Sequence, residues 1–278
     1  MNNLVKIKNI IWVLLIIISL LATVFSLFYA MFTRYNGPKE SLNPSALSNE
    51  NESGSEISIG SGNGISRGEL KTLFETEDEG EQYVNDIYYL LDSTLLELRF
   101  QAIVDSSHVW GTSAGNLPIA NASTAKIKFP NDGSEITADK AAMIVKPKIL
   151  YIAIGSDGLA NVSEEEFIAE YETLIANIRQ ASPDTVLVLC GTCSVTEDYS
   201  SVDGLDITKM SDGNDWIQLV CRDTGAFYLD IGEPLGDGSG GLRASYCGAN
   251  GKTLNRAGLT EVLQYIRTHA ITLVEPAA

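Results

Sequence analysis

The chain has 278 residues and a formal net charge of −17, and this length is sufficient for one sizeable α/β core. All 36 acidic residues follow position 33, where only 17 Lys and Arg remain, so this part of the chain carries a net charge of −19. Such a balance excludes a nucleic-acid-binding domain, because so few cations cannot form a basic face.

An almost wholly apolar segment occupies residues 10–32. A helix of this length rises ~1.5 Å per residue and would cross a hydrocarbon core of ~30 Å. Lys6 and Lys8 precede it, which predicts that residues 1–9 are cytoplasmic and that the rest is extracytoplasmic. A cleaved signal peptide is the alternative, but Phe28 stands where a cleavage site needs a small residue. We therefore predict a single-pass signal anchor in the cell membrane.

Residues 33–66 are predicted to be a flexible linker. Most of this segment is rich in Ser, Asn, Gly and Glu and holds only scattered large apolar residues. Such a composition cannot bury enough apolar surface to fold. The remaining residues, 67–278, are then expected to form one domain.

The domain is predicted to open with a polar helix over Glu69–Glu79, followed by an apolar strand over Ile87–Leu91 and a short helix from Leu95 to Phe100. The stretch Asp92-Ser93-Thr94 joins the strand to that short helix. This stretch is typical of an ordinary helix N-cap. It also fits a nucleophile turn, in which the strand holds the backbone and the helix amides face a developing anion.

The following segments alternate between strands and helices. Strands are predicted at Ile103–Trp110, Ile149–Ile154, Val186–Cys190 and Ala226–Ile231. Helices are predicted at Thr137–Val145, from the N-cap Ser163 to Ala181, at Asp215–Asp223 and from Asn255 to His269, with irregular segments at 116–135 and 236–251 and turns at Asp203-Gly204 and Asp212-Gly213. Apolar strands that alternate with helices predict a parallel sheet covered on both faces, with functional loops at the carboxyl ends of its strands.

The domain contains four cysteines: Cys190, Cys193, Cys221 and Cys247. They could form two disulfides, with three possible connectivities. Cys190 and Cys193 form a C-x-x-C motif, but no second close pair completes a zinc site. Cys190 also closes a strand, whereas a redox motif would begin a helix. We predict structural or free thiols.

The order of these features resembles the SGNH (GDSL) hydrolase family over roughly residues 84–270. The resemblance implies a three-layer α/β/α sandwich with a parallel, flavodoxin-like sheet. Four family blocks have counterparts here: Leu91-Asp92-Ser93 for Gly-Asp-Ser, Gly111 or Gly115 for the oxyanion glycine, Gly155-Ser156-Asp157-Gly158 for Gly-x-Asn-Asp, and Asn250-Gly251-Lys252-Thr253 for Asp-x-x-His.

The family's serine attacks an ester carbonyl, its histidine accepts the proton, its aspartate orients the histidine, and a glycine amide and the asparagine side chain bind the oxyanion. By this resemblance Ser93 holds the nucleophile position, but Thr253 and Asn250 replace the base and its partner. A serine without a base is a poor nucleophile. Asp157 replaces the oxyanion asparagine, and losing one oxyanion donor costs ~3 kcal/mol. Leu91 replaces a glycine beside the nucleophile.

Other side chains offer weaker alternatives. His108 is expected to be a half-buried residue of the second strand, and His269 to lie at a helix C-terminus, where a cation suits the helix dipole. Three acids, Asp92, Asp157 and Asp230, could gather at the sheet edge and bind a cation or a sugar hydroxyl, or could serve as caps and turns. No metal site or cofactor is predicted.

Three hypotheses follow. The first is a membrane-anchored, extracytoplasmic relative of ester hydrolases whose activity is impaired and whose cleft binds a cell-envelope glycan or an acylated sugar. The second is an active serine esterase in which Ser93 uses a base foreign to the family, either His108 or a carboxylate such as Asp157. The third is a structural or interaction module in which Ser93 is only a helix cap.

Overall fold

The computed structural model describes residues 67–199 and 204–271. The predicted membrane segment at 10–32 and the linker at 33–66 lie outside these residues. Within them the strands are β1 (Lys71–Thr72), β2 (Tyr88–Leu91), β3 (Val109–Trp110), β4 (Lys126–Lys128), β5 (Glu135–Thr137), β6 (Ile149–Ala153), β7 (Val186–Cys190) and β8 (Phe227–Leu229). The α-helices are α1 (Gly80–Asp86), α2 (Ala138–Val145), α3 (Glu164–Ala181), α4 (Ile207–Thr224) and α5 (Arg256–Arg267).

Six strands form one sheet in the order β1-β8-β7-β6-β2-β3, and every neighbouring pair is parallel. Without the short edge strand β1, the spatial order β3-β2-β6-β7-β8 is the flavodoxin-like order 2-1-3-4-5. The predicted parallel α/β fold is confirmed. The strand order reverses between β2 and β6, and ligand sites in such sheets lie at this switch point.

The helices cover both faces of the sheet. Helices α2, α3 and α4 contribute side chains such as Ala141, Phe167 and Ile217 to one buried cluster. Helices α1 and α5 contribute Val84 and Leu259 to a second buried cluster on the other face. Because the central strands are buried on both sides, their sequences are continuous apolar runs, as parallel sheets require.

The longest predicted elements agree closely with the structure. Strand β7 has the predicted bounds, and α3 begins after Ser163, which forms a complete capping box with Glu166. Helix α2 begins one residue later than predicted, and α5 ends two residues before His269. The sequence signals of these elements are helix caps and long apolar periodicity. Both signals are formed by neighbouring residues, so the sequence alone predicts these elements.

The predicted helix over Glu69–Glu79 is wrong. Lys71 and Thr72 instead form the edge strand β1 and pair with Phe227 and Tyr228 of β8, and the helix begins only at Gly80. The sheet edge offers Lys71–Thr72 backbone partners that its own polar sequence does not reveal.

Four further elements also differ from the prediction. The second strand is only β3, because Asp105 caps Ser107 and turns Ser106–His108 into a 3₁₀ helix. The segment 116–135 contains β4, which pairs antiparallel with β5. Helix α4 begins at Ile207 and includes Asp212-Gly213, which was predicted to be a turn. The predicted helix after Thr94 is a 3₁₀ helix over Leu96–Arg99.

All four cysteines carry free thiols, and three of them are buried. Burial raises the pKa of Cys221 to about 12, so this thiol stays protonated at neutral pH. Within residues 67–199 and 204–271, no helix is both long enough and apolar enough to cross a membrane.

Helix α5 approaches the loop before it closely through Gly258. A Cβ atom at Gly258 would lie 2.5 Å from the carbonyl oxygen of Tyr246. We expect Gly258→Ala to lower the free energy of unfolding by about 2 kcal/mol, because the added methyl group overpacks this contact. Urea unfolding followed by circular dichroism measures the change.

Gly236→Ala is the matched control for this prediction. Gly236 has a φ of −65°, and an added Cβ atom would meet no atom nearer than 3.7 Å. Its unfolding free energy should change by less than about 0.5 kcal/mol. Equal losses in the two variants would contradict the close approach at Gly258.

Candidate functional site

The turn after β2 lies at the switch point of the sheet. The amide of Asp92 continues the β2–β6 ladder by donating to the carbonyl oxygen of Ala153 at 3.1 Å. The Asp92 carboxylate then accepts the Thr94 amide at 3.0 Å, which closes a tight turn around Ser93. Ser93 is the residue that this turn leaves partly exposed, whereas Asp92 and Thr94 are buried.

Asp92 also connects this turn to the loop after β6 through hydrogen bonds. Its Oδ2 accepts the Ser156 amide at 2.9 Å and the Ser156 hydroxyl at 2.6 Å. The hydroxyls of Thr94 and Ser156 lie 2.8 Å apart and share a further hydrogen bond. The second polar block, Ser156-Asp157, is thereby held against the first.

Asp157 is the centre of the site. Its Oδ1 accepts the Ser93 hydroxyl at 2.5 Å and the ammonium group of Lys252 at 2.9 Å. Its Oδ2 accepts the amides of Ser93 at 3.0 Å and of Leu117 at 2.9 Å. The carboxylate therefore uses both oxygens, and four donors converge on it.

Lys252 reaches Asp157 from the last polar block of the chain. The Leu254 amide donates to the carbonyl oxygen of Thr94 at 3.1 Å, which fixes this block beside the Ser93 turn. The side chain of Lys252 is only 11% exposed. No histidine occupies this block, and the buried lysine occupies the space between the block and the serine.

Asn250 and Thr253 bond to each other instead of to Ser93. The Asn250 Oδ1 accepts the amides of Lys252 and Thr253 and the Thr253 hydroxyl, at 2.9–3.1 Å. This is an Asx turn, which orders the loop without supplying a proton acceptor near the serine.

Electrostatics keep the Asp157–Lys252 pair ionised. Burial opposes ionisation of Asp157, but the hydrogen bonds from Ser93 and the charge of Lys252 outweigh it and hold the pKa of Asp157 below its usual value. Burial likewise opposes the charge of Lys252, but Asp157 raises the pKa of the lysine above its usual value. For Asp92, burial and then the nearby charge of Asp157 raise the pKa of the carboxyl.

The two glycines proposed as oxyanion donors lie in the loop after β3. The carbonyl oxygen of Gly111 accepts bonds from Lys128 and Arg99, and the amide of Gly115 donates to Thr112 within its own turn at 3.3 Å. The loop amide that reaches Asp157 belongs instead to Leu117. The sequence does not reveal Leu117, because a backbone donor can come from any residue type.

The two histidines are engaged elsewhere. His108 stacks on Tyr88 with ring centroids 4.0 Å apart. His269 lies in the turn after α5, where its Nδ1 approaches the Tyr265 carbonyl oxygen at 2.9 Å and its ring stacks on Tyr265. The hydrogen bond of the Ser93 hydroxyl goes to a carboxylate and not to an imidazole.

Asp230 is separate from the Asp92–Asp157 pair. It follows β8, and its Oδ1 accepts the Gly232 amide at 3.0 Å. It lines a cavity of about 440 Å³ together with Thr192, Ser194 and Asn214. Among the described residues, no group of three or more His, Cys, Asp and Glu side chains could hold a metal ion.

The sequence does contain a signal for Lys252 that the analysis overlooked. An acid stands where the family has a neutral amide, and a buried acid requires a cation. Lys252 lies within the block that the fold places against Asp157. The two departures from the family pattern compensate each other, and they could have been read together.

Comparisons with known proteins give the following results. No protein-family model matches the chain. No curated protein sequence matches it either. Solved structures similar to this chain include a carbohydrate esterase of family 3 from Talaromyces cellulolyticus (11% identity over 65% of this chain and 93% of that chain, TM-score 0.42). A GDSL-like lipase from Bacteroides thetaiotaomicron is also similar (9% identity, 68% and 88%, TM-score 0.42), as is a peptidoglycan O-acetylesterase (11% identity, 47% and 39%, TM-score 0.40).

Lys252→Met should lower the free energy of unfolding by about 3 kcal/mol at pH 7, because it leaves the buried carboxylate of Asp157 without its cation. The folded-state pKa of Asp157 is depressed, so its ionised form stabilises the fold above its unfolded pKa of 3.8, and this contribution is lost as the pH falls through the folded value. The difference between the native chain and Lys252→Met should therefore shrink between pH 7 and pH 3.

Lys140→Met is the control for this measurement. Lys140 is exposed on α2, and its replacement should change the stability by less than about 0.5 kcal/mol at either pH. Denaturant unfolding at both pH values measures the two variants. A destabilisation by Lys252→Met that stays constant with pH would argue against the ion pair.

Proposed function

We propose that this chain is a divergent, non-hydrolytic member of the SGNH fold that binds a cell-envelope glycan or acylated sugar. One observation carries the loss of hydrolysis: Oδ2 of Asp157 accepts the amides of both Ser93 and Leu117. These are the donors that point into the space in front of the serine. An ester oxyanion would need them, and a carboxylate oxygen of the chain itself already holds them.

The binding site would differ from that of an active esterase. Preorganised donors lower a barrier only when they are free for the charge that develops in the transition state. Here the bonds of Asp157 fill the donor set in the ground state, and its negative charge would repel an oxyanion. Among the described residues, the four cavities of about 370–450 Å³ are lined by residues other than Ser93, Asp157 and Lys252.

A second candidate function is serine ester hydrolysis with Asp157 as the base. The 2.5 Å hydrogen bond between the Ser93 hydroxyl and Asp157 Oδ1 favours it, because a general base must lie within such reach. The same carboxylate would then have to release the two amides while accepting the proton. Its depressed pKa makes it a weak base, so we place this function second.

Hydrolysis of p-nitrophenyl acetate separates the two functions. We expect the full-length chain to show no turnover beyond that of its Ser93→Ala variant, because the oxyanion donors are occupied. The release of p-nitrophenolate, followed spectrophotometrically under matched conditions, is the measurement. Turnover that Ser93→Ala abolishes would overturn the proposal in favour of the second candidate.

The cavity beside Asp230 is the best-supported place for a sugar. It opens at the carboxyl ends of β7 and β8 and has polar walls, which include Asp230, Asn214 and Thr192. The Ser194 hydroxyl is buried there without a hydrogen-bond partner among the described residues. A carboxylate and the unpaired Ser194 hydroxyl provide an acceptor and a donor for sugar hydroxyl groups.

Asp230→Asn should weaken binding of chitotetraose, an N-acetylglucosamine oligosaccharide, by about tenfold or more, because it removes the charged acceptor. The variant keeps an oxygen for the Gly232 amide and should fold normally. Calorimetric titration measures the affinity. Asp132→Asn, at an exposed hairpin turn, is the control and should bind like the native chain; equal affinities for all three proteins would remove this cavity from the proposal.

The proposed location follows from the first part of the sequence. The apolar segment at 10–32 would anchor the chain in the cell membrane, and Lys6 and Lys8 would keep residues 1–9 cytoplasmic. The linker at 33–66 would then hold the domain on the extracytoplasmic side. A domain tethered there would meet cell-envelope carbohydrate, which supports the proposed class of ligand.

A further inference from the structure

We propose a second ligand site, which takes a small carboxylate with an apolar body. It is a cavity of about 450 Å³ between the 3₁₀ helix Leu96–Arg99, the loop after β3 and the β4–β5 hairpin. We call it the Arg99 cavity. None of the residues that hold Asp157 lines it, and it is distinct from the cavity beside Asp230.

Arg99 gives this cavity an uncompensated positive charge. Its Nη2 donates to the carbonyl oxygens of Val109 and Gly111 at 3.0 and 3.1 Å, which fixes the guanidinium at the end of β3. No carboxylate among the described residues pairs with it, and its Nε is buried without a partner. Burial lowers the pKa of the guanidinium, as expected for a cation that has lost water and gained no anion.

A second cation, Lys128, lines the same cavity. It lies on β4 and has no ion pair among the described residues. The acid nearest in the hairpin register is Glu135, directly across from Lys128, and it accepts the Ser113 hydroxyl at 2.8 Å. In a domain with a large negative net charge, this cavity is therefore lined by two cations without an ion pair among the described residues, with the single carboxylate of Glu135 beside them, and this balance favours an anionic ligand.

The rim of the cavity is apolar, and the chain that follows it is strained at Ala102. Phe100 lines it with 68% of its surface exposed, and Phe129 lines its buried side. Two residues after Phe100, Ala102 has a φ of 50°, a left-handed conformation that is unfavourable for alanine. Such strain is characteristic of functional sites, and here it lies in the loop that presents an aromatic ring to solvent.

These features define the ligand class. A carboxylate can accept hydrogen bonds from Nη1 of Arg99, the guanidinium nitrogen that has no hydrogen bond among the described residues and is not buried like Nε, and it can also reach an ammonium group. An apolar or aromatic body would cover Phe100 and remove its exposed surface from water. The volume of the cavity suits a small molecule such as an arylacetate.

Calorimetric titration of the full-length chain in detergent micelles, with empty micelles as the blank, tests this site. Phenylacetate is the probe, and we expect a Kd of about 1 mM or tighter. The isosteric neutral amide, phenylacetamide, should bind about tenfold more weakly because it lacks the charge, and acetate should bind more weakly because it lacks the ring.

Pairs of matched variants test whether phenylacetate binds in the Arg99 cavity. Lys128→Gln should weaken phenylacetate binding about fivefold, while Lys126→Gln, at an exposed residue of the same strand outside the cavity, should not. Phe100→Ala should weaken it about threefold or more, while Phe74→Ala, which removes another exposed ring, should not.

Equal binding of phenylacetamide and phenylacetate, a lack of saturable binding, or equal losses in Lys126→Gln and Lys128→Gln would overturn the proposal. Ser93→Ala should leave phenylacetate binding unchanged, since Ser93 does not line the cavity. Phenylacetate binding is measured independently of ester turnover and of chitotetraose binding. The outcome for the Arg99 cavity can therefore be distinguished from the outcome for the proposed function.

Discussion

The carboxylate of Asp157 is the constraint on which the rest of the site depends. Three separate segments meet at it: the Ser93 turn after β2, the loop that ends at Leu117, and the last polar block with Lys252. A buried carboxylate is tolerated only when donors and a cation satisfy it. Each of these segments supplies a donor or the cation. Asp157 therefore orders the three segments, and the three segments in turn position Asp157.

Asp92 adds a second buried carboxyl group next to the first. Burial and then the charge of Asp157 raise the pKa of Asp92. The cation lies with Asp157, and Asp92 is instead surrounded by the amides and hydroxyls of Thr94 and Ser156. The ionised carboxylate, Asp157, therefore contacts the serine. Asp92, whose pKa is raised, holds the two loops together behind it.

The sequence predicts those parts of the molecule whose signals are local. The strand Val186–Cys190 and the capped helix after Ser163 are recognisable because periodicity and caps are written in adjacent residues. The edge strand Lys71–Thr72 is not recognisable, since its pairing depends on β8, more than 150 residues further along the chain. The same distinction applies to the site: the position of Ser93 follows from the motif order, whereas the roles of Lys252 and the Leu117 amide depend on which loops the sheet brings together.

The electrostatics of the pair decide what chemistry the site can perform. An effective acid–base group has a pKa near the operating pH. Burial opposes both charges, but the hydrogen bonds from Ser93 and the charge of Lys252 lower the pKa of Asp157, and Asp157 raises the pKa of Lys252, so each moves away from neutrality. We propose that these shifts make the aspartate a weak acceptor of the serine proton and the lysine a weak base. Under the proposed function, the contact that stabilises the site would also remove proton transfer from it, and a loss of hydrolysis would follow from the stability of the ion pair itself.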